Sequence, residues 1–270
     1  MSEVGVVEAT ELSQRLGDDN LLLLQITSAE VYQQAHIPGA LLVTPQELVC
    51  GVPPATGRLP EAADLKTLFD RLGYHAGQQV VVYDDEGGGW AGRMGWTLDC
   101  IGHRQWDYLN GGMHGWHQAG LNFEAGPGPE VHATDNTINI DTAPIAEIPD
   151  ILESLESSAA LVWDVRSREE YMGMRAASAR LGHIPGAVNY DWLLLKDATQ
   201  HLNQSADRDL AKIGVDGSKP LITHCQTHHR SGLSYMWGRI KGWDIRAYHG
   251  SWSEWGNRED TPIDNPSAAD

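Results

Sequence analysis

The chain has 270 residues, too many for one ordinary domain and ample for two of about 125 each. With 41% hydrophobic and 21% charged residues it reads as globular, and its longest apolar runs fall far short of the ~20 residues of a membrane span. A net charge of −18 excludes general nucleic-acid binding, and it obliges any anionic ligand to be drawn in by a local positive field.

The acidic start Met1-Ser2-Glu3-Val4 lacks the basic-then-apolar order of a secretion signal. The three cysteines, Cys50, Cys100 and Cys225, are odd in number and widely spaced, which does not suit a disulfide framework. The expectation is a cytoplasmic protein with reduced thiols and with neither membrane nor nucleic acid as partner. Cys50 and Cys100 read as small buried hydrophobes.

In chain order, the first apolar strand covers Leu21–Ile26 and is followed by a polar turn and Tyr32. His36-Ile37-Pro38-Gly39-Ala40 comes next. Leu65, Leu68, Phe69 and Leu72 then mark an amphipathic helix that Gly73 ends. A short buried strand at 80–83 runs into an acidic, glycine-rich loop at 84–89, and Trp90 begins the helix after it. Tyr108-Leu109-Asn110-Gly111-Gly112 and Trp116 close this half. Residues 123–144, with Gly126-Pro127-Gly128-Pro129 and no helical period, read as an exposed connection.

The order then repeats. A strand at 160–165 precedes Tyr171, and His183-Ile184-Pro185-Gly186-Ala187 repeats the earlier five residues word for word. A shorter helix carries Leu210 and Ile213 before Gly214. The buried strand at 221–224 leads into the loop Cys225-Gln226-Thr227-His228-His229-Arg230. Its helix sets Leu233, Met236, Trp237 and Ile240 on one face, and Tyr248-His249-Gly250-Ser251 with Trp255 closes the half. Alternating strands and helices of this size imply a parallel sheet flanked by helices, α/β in each half.

Aligning the halves sets Cys225 opposite Asp85 and Arg230 opposite Trp90. One loop is then acidic and inert, while the other concentrates a thiol and cationic groups. A tight strand-to-helix turn aims successive N–H groups inward as an anion-binding nest. The helix N-terminus and Arg230 add positive charge, and such surroundings favour a thiolate. His228 and His229 are expected to add charge when protonated, and Arg230 to point inward at an anion. The competing reading, a metal cluster of His224, Cys225, His228 and His229, fits poorly, because structural zinc sites draw ligands from two separate segments. Trp90 is expected to wall the pocket where the two halves meet, with core packing as its alternative. Asp164 and Arg166 read as a structural pair, and both HIPGA histidines as structural.

These residues carry a family resemblance. The two HIPGA motifs, Tyr83-Asp84-Asp85 before the inert loop, the six-residue loop opened by Cys225 and the closing Gly256-Asn257-Arg258-Glu259-Asp260-Thr261-Pro262 resemble the tandem-domain rhodaneses, the thiosulfate and mercaptopyruvate sulfurtransferases, over essentially the whole chain. The Cys-Gln-Thr-His-His-Arg loop looks most like that of certain bacterial thiosulfate sulfurtransferases. The resemblance implies an inactive rhodanese-like domain at 1–125, a linker at 126–143 and a catalytic rhodanese-like domain at 144–270. It also implies ping-pong catalysis without cofactor or metal. Cys225 would take sulfane sulfur from thiosulfate, release sulfite and pass the sulfur to cyanide or another thiophilic acceptor, with Gln226, Thr227, His228, His229, Arg230 and Trp90 around the substrate. Arg230 favours thiosulfate over mercaptopyruvate. Glu170, Gln226 and Thr227 stand where vertebrate-type rhodaneses carry arginine or glycine, which removes cations from the site. The alternatives are a 3-mercaptopyruvate sulfurtransferase or a persulfide carrier serving a biosynthetic enzyme. A phosphatase of the same fold would need the longer Cys-x₅-Arg loop in place of Cys-x₄-Arg.

Overall fold

The computed structural model describes residues 4–175 and 177–268; the acidic start at Met1-Ser2-Glu3 lies outside them. The first half runs β1 (Gly5–Val7), α1 (Ala9–Arg15), β2 (Leu21–Ile26), α2 (Ala29–Gln34), β3 (Leu41–Val43), α3 (Ala62–Arg71), β4 (Gln79–Asp84), α4 (Gly89–Cys100), β5 (Trp106–Leu109) and α5 (Gly112–Gln118). The second repeats the order with β6 (Ile145–Ala146), α6 (Ile148–Ser157), β7 (Leu161–Asp164), α7 (Arg168–Tyr171), β8 (Val188–Asn189), α8 (Ala206–Lys212), β9 (Leu221–His224), α9 (Arg230–Ile240), β10 (Ile245–Tyr248) and α10 (Ser251–Trp255).

Each half folds into a five-stranded parallel sheet, ordered β1-β5-β4-β2-β3 and β6-β10-β9-β7-β8. Helices cover both faces of such sheets, so the middle strands are continuous apolar runs: Val80, Val81 and Val82 in β4 and Leu221 and Ile222 in β9 are buried. The repeated HIPGA motif does the same structural work twice. His36 accepts a backbone bridge from Glu124 and stacks on Tyr32, while His183 bridges to Asp264 and stacks on Tyr171. The connecting segment lies against the first half, where Asn136 binds Asp70 and the Tyr74 carbonyl.

The halves join through α4 and α9, the helices that follow the two loops. A Cβ on Gly232 would stand 2.5 Å from the Arg93 nitrogen, so glycine is required for the two backbones to touch. One buried cluster runs through both halves, from Leu24 and Trp96 to Trp163, Leu233 and Met236. That explains why α4 is buried on nearly every side and shows no polar stripe. Asp99 in its last turn is fully buried and is held from the other half by Tyr235 Oη at 2.7 Å and by Arg239.

Candidate active site

The central strand of each sheet delivers a loop to the N-terminus of a crossing helix, and the crossing brings the two loops together. Strand register fixes how they correspond. Ser28 and Ser167 cap equivalent helices, each accepting from the backbone three residues on. Gln25 and Asp164, three residues before them, are therefore equivalent; Gln25 faces Tyr83 and Asp164 faces His224. Cys225 thus matches Asp84, not Asp85, and the partner of Arg230 is Gly89 rather than Trp90. The unequal segments between each HIPGA motif and its loop hid this one-residue offset in the sequence. Two backbone angles follow the same correspondence, Gly87 (φ 89°) with His228 (φ 57°) and Gly112 (φ 52°) with Ser251 (φ 54°), whereas Gly88 (φ 106°) and His229 (φ −87°) differ.

The correspondence shows what the first loop contains. The Asp84 carboxylate sits inside its own ring of amides, accepting from Glu86 at 3.3 Å, Gly87 at 3.0 Å, Gly88 at 2.8 Å and Ala91 at 2.9 Å. In the second loop the N–H groups of residues 226–231 donate to no acceptor among the described residues. Three of them, from Thr227, His228 and His229, match amides that Asp84 satisfies. One ring is closed by an internal anion; the other is open around a cysteine.

Cys225 is 1% exposed. Its N–H donates to Ser251 Oγ at 3.4 Å, and its carbonyl accepts from the Trp252 N–H at 3.0 Å, which straps the loop to α10. Gln226 donates through Nε2 to the Ala177 carbonyl at 2.9 Å and Ser178 Oγ at 3.1 Å, so its side chain braces the flank. Thr227 lies under the backbone of Gly57 from the first half. The expectation for His228 is overturned. Its ring is fully buried, with Nδ1 bonded to Ser231 Oγ at 2.8 Å and its edge on Trp96, and burial pushes its pKa well below the ordinary value. A neutral, inward ring adds no charge to the site.

His229 lies at the mouth, bonded through Nε2 to Glu86 and stacked on Trp90 with centroids 4.3 Å apart. The structure therefore places Trp90 between the halves beside the active loop, and Trp192 leans on the same imidazole at 5.7 Å. Arg230 is also corrected. Rather than standing free toward an anion, it makes a two-pronged ion pair with Glu170 at 2.7 and 2.9 Å. Burial would lower its pKa, but Glu170 and the nearby Cys225 raise it instead. Burial likewise pushes Glu170 up, and Arg230 outweighs this to hold its carboxyl below the ordinary range. Trp252 is buried under the Arg166 guanidinium, and Arg166 is locked onto Asp164 at 2.6 Å. Cys100 is buried and its thiol is pushed far up by that burial, whereas Cys50 is half-buried.

Several residues outside the second loop were not legible as site residues. Glu86 reaches His229, and Lys196 binds the Glu86 carbonyl while capping the Trp192 ring. Arg93 of α4 is fully buried and donates to the carbonyls of Gly57 at 2.6 Å, Leu48 at 2.5 Å and Arg58 at 3.3 Å, with no carboxylate partner among the described residues. Burial lowers its pKa to about 10, partly offset by the thiols of Cys100, Cys225 and Cys50. It remains a cation at neutral pH. An arginine inside an apolar helix was the available signal.

The rhodanese-like domain family matches the chain twice, at residues 8–119 and 148–258. A thiosulfate sulfurtransferase of Pseudomonas aeruginosa is 43% identical over 265 residues, covering 96% of both chains, and one from Azotobacter vinelandii is 41% identical over 264. A 3-mercaptopyruvate sulfurtransferase of Escherichia coli is more distant, at 26% over 269 residues. The crystal structure of a 3-mercaptopyruvate sulfotransferase from Escherichia coli superposes with a TM-score of 0.81, at 23% identity, over 92% of this chain and 99% of that one.

Proposed function

This chain belongs to the rhodanese family and is a sulfurtransferase, and from that premise we propose that its reaction runs through a persulfide on Cys225, with thiosulfate as a donor and cyanide or another thiophile as acceptor. The observation that carries the residue assignment is the set of unpaired amides in the loop after Cys225, set against the corresponding amides that Asp84 engages in the other half.

The thiolate attacks the outer sulfur of the donor, the S–S bond breaks, and sulfite leaves with the bonding pair. The anionic outer sulfur of Cys225–S–S⁻ then accepts hydrogen bonds from the Thr227, His228 and His229 amides, as carboxylate oxygens do around Asp84. The acceptor attacks that sulfur and returns the thiolate. Ser251, Trp252 and Gln226 hold the loop while charge moves from donor to persulfide. A cysteine that is 1% exposed suits a donor that presents a single sulfur atom. The two thiosulfate sulfurtransferases at 43% and 41% identity support this donor over mercaptopyruvate. No described helix is long and apolar enough to cross a membrane, and three unpaired thiols suit the reducing cytoplasm.

Intact-mass measurement after mixing with thiosulfate tests the assignment. A gain of about one sulfur (~32 Da), absent from Cys225→Ser, is expected of the covalent intermediate. A gain that persists in Cys225→Ser refutes it.

A further inference from the structure

The halves clamp each other twice, and the two clamps differ in one residue. Strand register sets Leu109 beside Val7 and Tyr248 beside Ala146, so Asn110 and Glu8 correspond to His249 and Glu147. Asn110 accepts the Leu202 N–H of the second half through Oδ1 at 2.9 Å and donates through Nδ2 to Glu8 at 2.8 Å. His249 repeats both bonds. Its Nδ1 accepts the Leu59 N–H of the first half at 3.0 Å, and its Nε2 meets Glu147 at 3.2 Å. A backbone N–H only donates, so Nδ1 carries the lone pair and the single ring proton lies on Nε2. The asparagine clamp does not titrate. A proton on Nδ1 of His249 would set N–H against N–H and release Leu59.

We infer that His249 is a positioning residue for the Cys225 loop, tying it to the first half only while Nδ1 carries no proton. The inference rests on the assignment of Cys225 as the sulfur carrier. His249 stands in the turn whose Ser251 Oγ accepts the Cys225 N–H at 3.4 Å and whose Trp252 N–H donates to the Cys225 carbonyl at 3.0 Å. Leu59 follows closely on Gly57, which lies against the backbone of Thr227. One imidazole therefore joins the two pieces of chain that hold the loop. The ring is 5% exposed, with its edge on Trp96 at 5.5 Å. Charged and titratable groups face it from each neighbouring element: Glu147 at the start of α6, Arg58 beside Leu59, Arg93 on α4 and His228 in the active loop. Arg58 pairs in turn with Glu147 and Glu254, and Tyr248 Oη donates to Glu254 at 2.8 Å. Burial holds the imidazole below its ordinary value, with Glu147 opposing and Arg58 and Arg93 assisting. The clamp is closed at neutral pH and opens on acidification.

The test compares His249→Asn, which copies Asn110, with His249→Gln, whose amide replaces the Nε2 end and leaves Leu59 without an acceptor. Sulfite released from thiosulfate in the first turnover reports the loading of Cys225 with no acceptor present. At neutral pH, His249→Asn should load within about threefold of wild type and His249→Gln about tenfold more slowly, part of the ~100-fold that a 1 Å misplacement costs. As pH falls, the wild type should lose rate relative to His249→Asn, with the midpoint of the His249 ring in nitrogen NMR, where the neutral ring shows the Nε2–H tautomer. A side chain that merely fills space tolerates both amides alike, and equal rates for the two overturn the inference. So does an Nδ1–H tautomer, or a wild-type to His249→Asn ratio that stays flat while the ring titrates. Should His249→Gln fail to fold, the pH ratio and the tautomer decide. A His249→Asn that fails to fold counts against the inference, because Asn110 makes both bonds. Mass gain on wild-type Cys225 separates the two ideas: no sulfur from thiosulfate refutes the carrier assignment, whereas normal loading with equal amide variants refutes only the clamp.

Discussion

Gly57→Ala is expected to disable the enzyme from the half that lacks a nucleophile. A Cβ at residue 57 would stand 2.5 Å from the Thr227 carbonyl carbon and 2.9 Å from its Cα, and closer still to the carbonyl oxygen. Carbon contacts settle near ~3.5–4.0 Å, so one backbone must move by about 1 Å or more. Neither is free to do so. Residue 57 is tied by its carbonyl to Arg93 at 2.6 Å, and its neighbours by Arg58 to Glu254 at 2.9 Å and by the Leu59 N–H to His249 at 3.0 Å. The loop is tied to α10 through Cys225 and Gln226. Overpacking of this kind costs about 1–3 kcal/mol of stability. A displacement near 1 Å in a catalytic loop costs on the order of 100-fold in rate. Activity should therefore fall further than stability: kcat/KM with thiosulfate and cyanide drops about 100-fold, while the urea midpoint moves modestly. A variant within twofold of wild-type activity would refute the claim that this strap sets the loop's position.

The remaining expectations concern the closed ring, the buried pair and pH. Asp84→Asn sets an amide N–H against backbone N–H donors, so it should lose about 1–3 kcal/mol in chemical denaturation; an unchanged midpoint would show that the four amide donors to Asp84 contribute little. Asp164→Asn breaks the fully buried pair with Arg166 and should cost about 3–5 kcal/mol, read by the same denaturation; a loss under 1 kcal/mol contradicts it. Burial holds the imidazoles of His103, His183, His224, His228 and His249 below their ordinary value of 6.5. The unfolded chain then binds more protons than the native one below about pH 6.5, so stability is complete above that pH and is lost progressively on acidification. Urea midpoints measured between pH 5 and 8 check the sign, and a midpoint that rises toward pH 5 contradicts it.

Much of this was legible in the chain itself. The repeated His-Ile-Pro-Gly-Ala marks two equivalent corners, and the apolar runs at 80–83 and 221–224 mark the central strands, because strands covered on both faces leave no alternation to misread. Cys225 stood out because its strand ends in polar residues. What the sequence concealed was direction and partnership. His228 and His229 are adjacent and chemically identical, yet a left-handed backbone at His228 sends one ring into the interface and the other to the mouth. Arg230 reads as a free cation until α7 brings Glu170 to it from 60 residues away. Glu86, Arg93 and Gly57 reach the site only through the crossing of α4 and α9, and no local spacing records a contact between halves.

The carboxylate seated in the first loop also bears on how the two copies diverged. A loop that supplies its own guest is rigid without any visitor, so it can serve as masonry for its neighbour. The first half is thereby a frame against which the second loop is hung, through Gly57 under Thr227 and the crossing of α4 and α9.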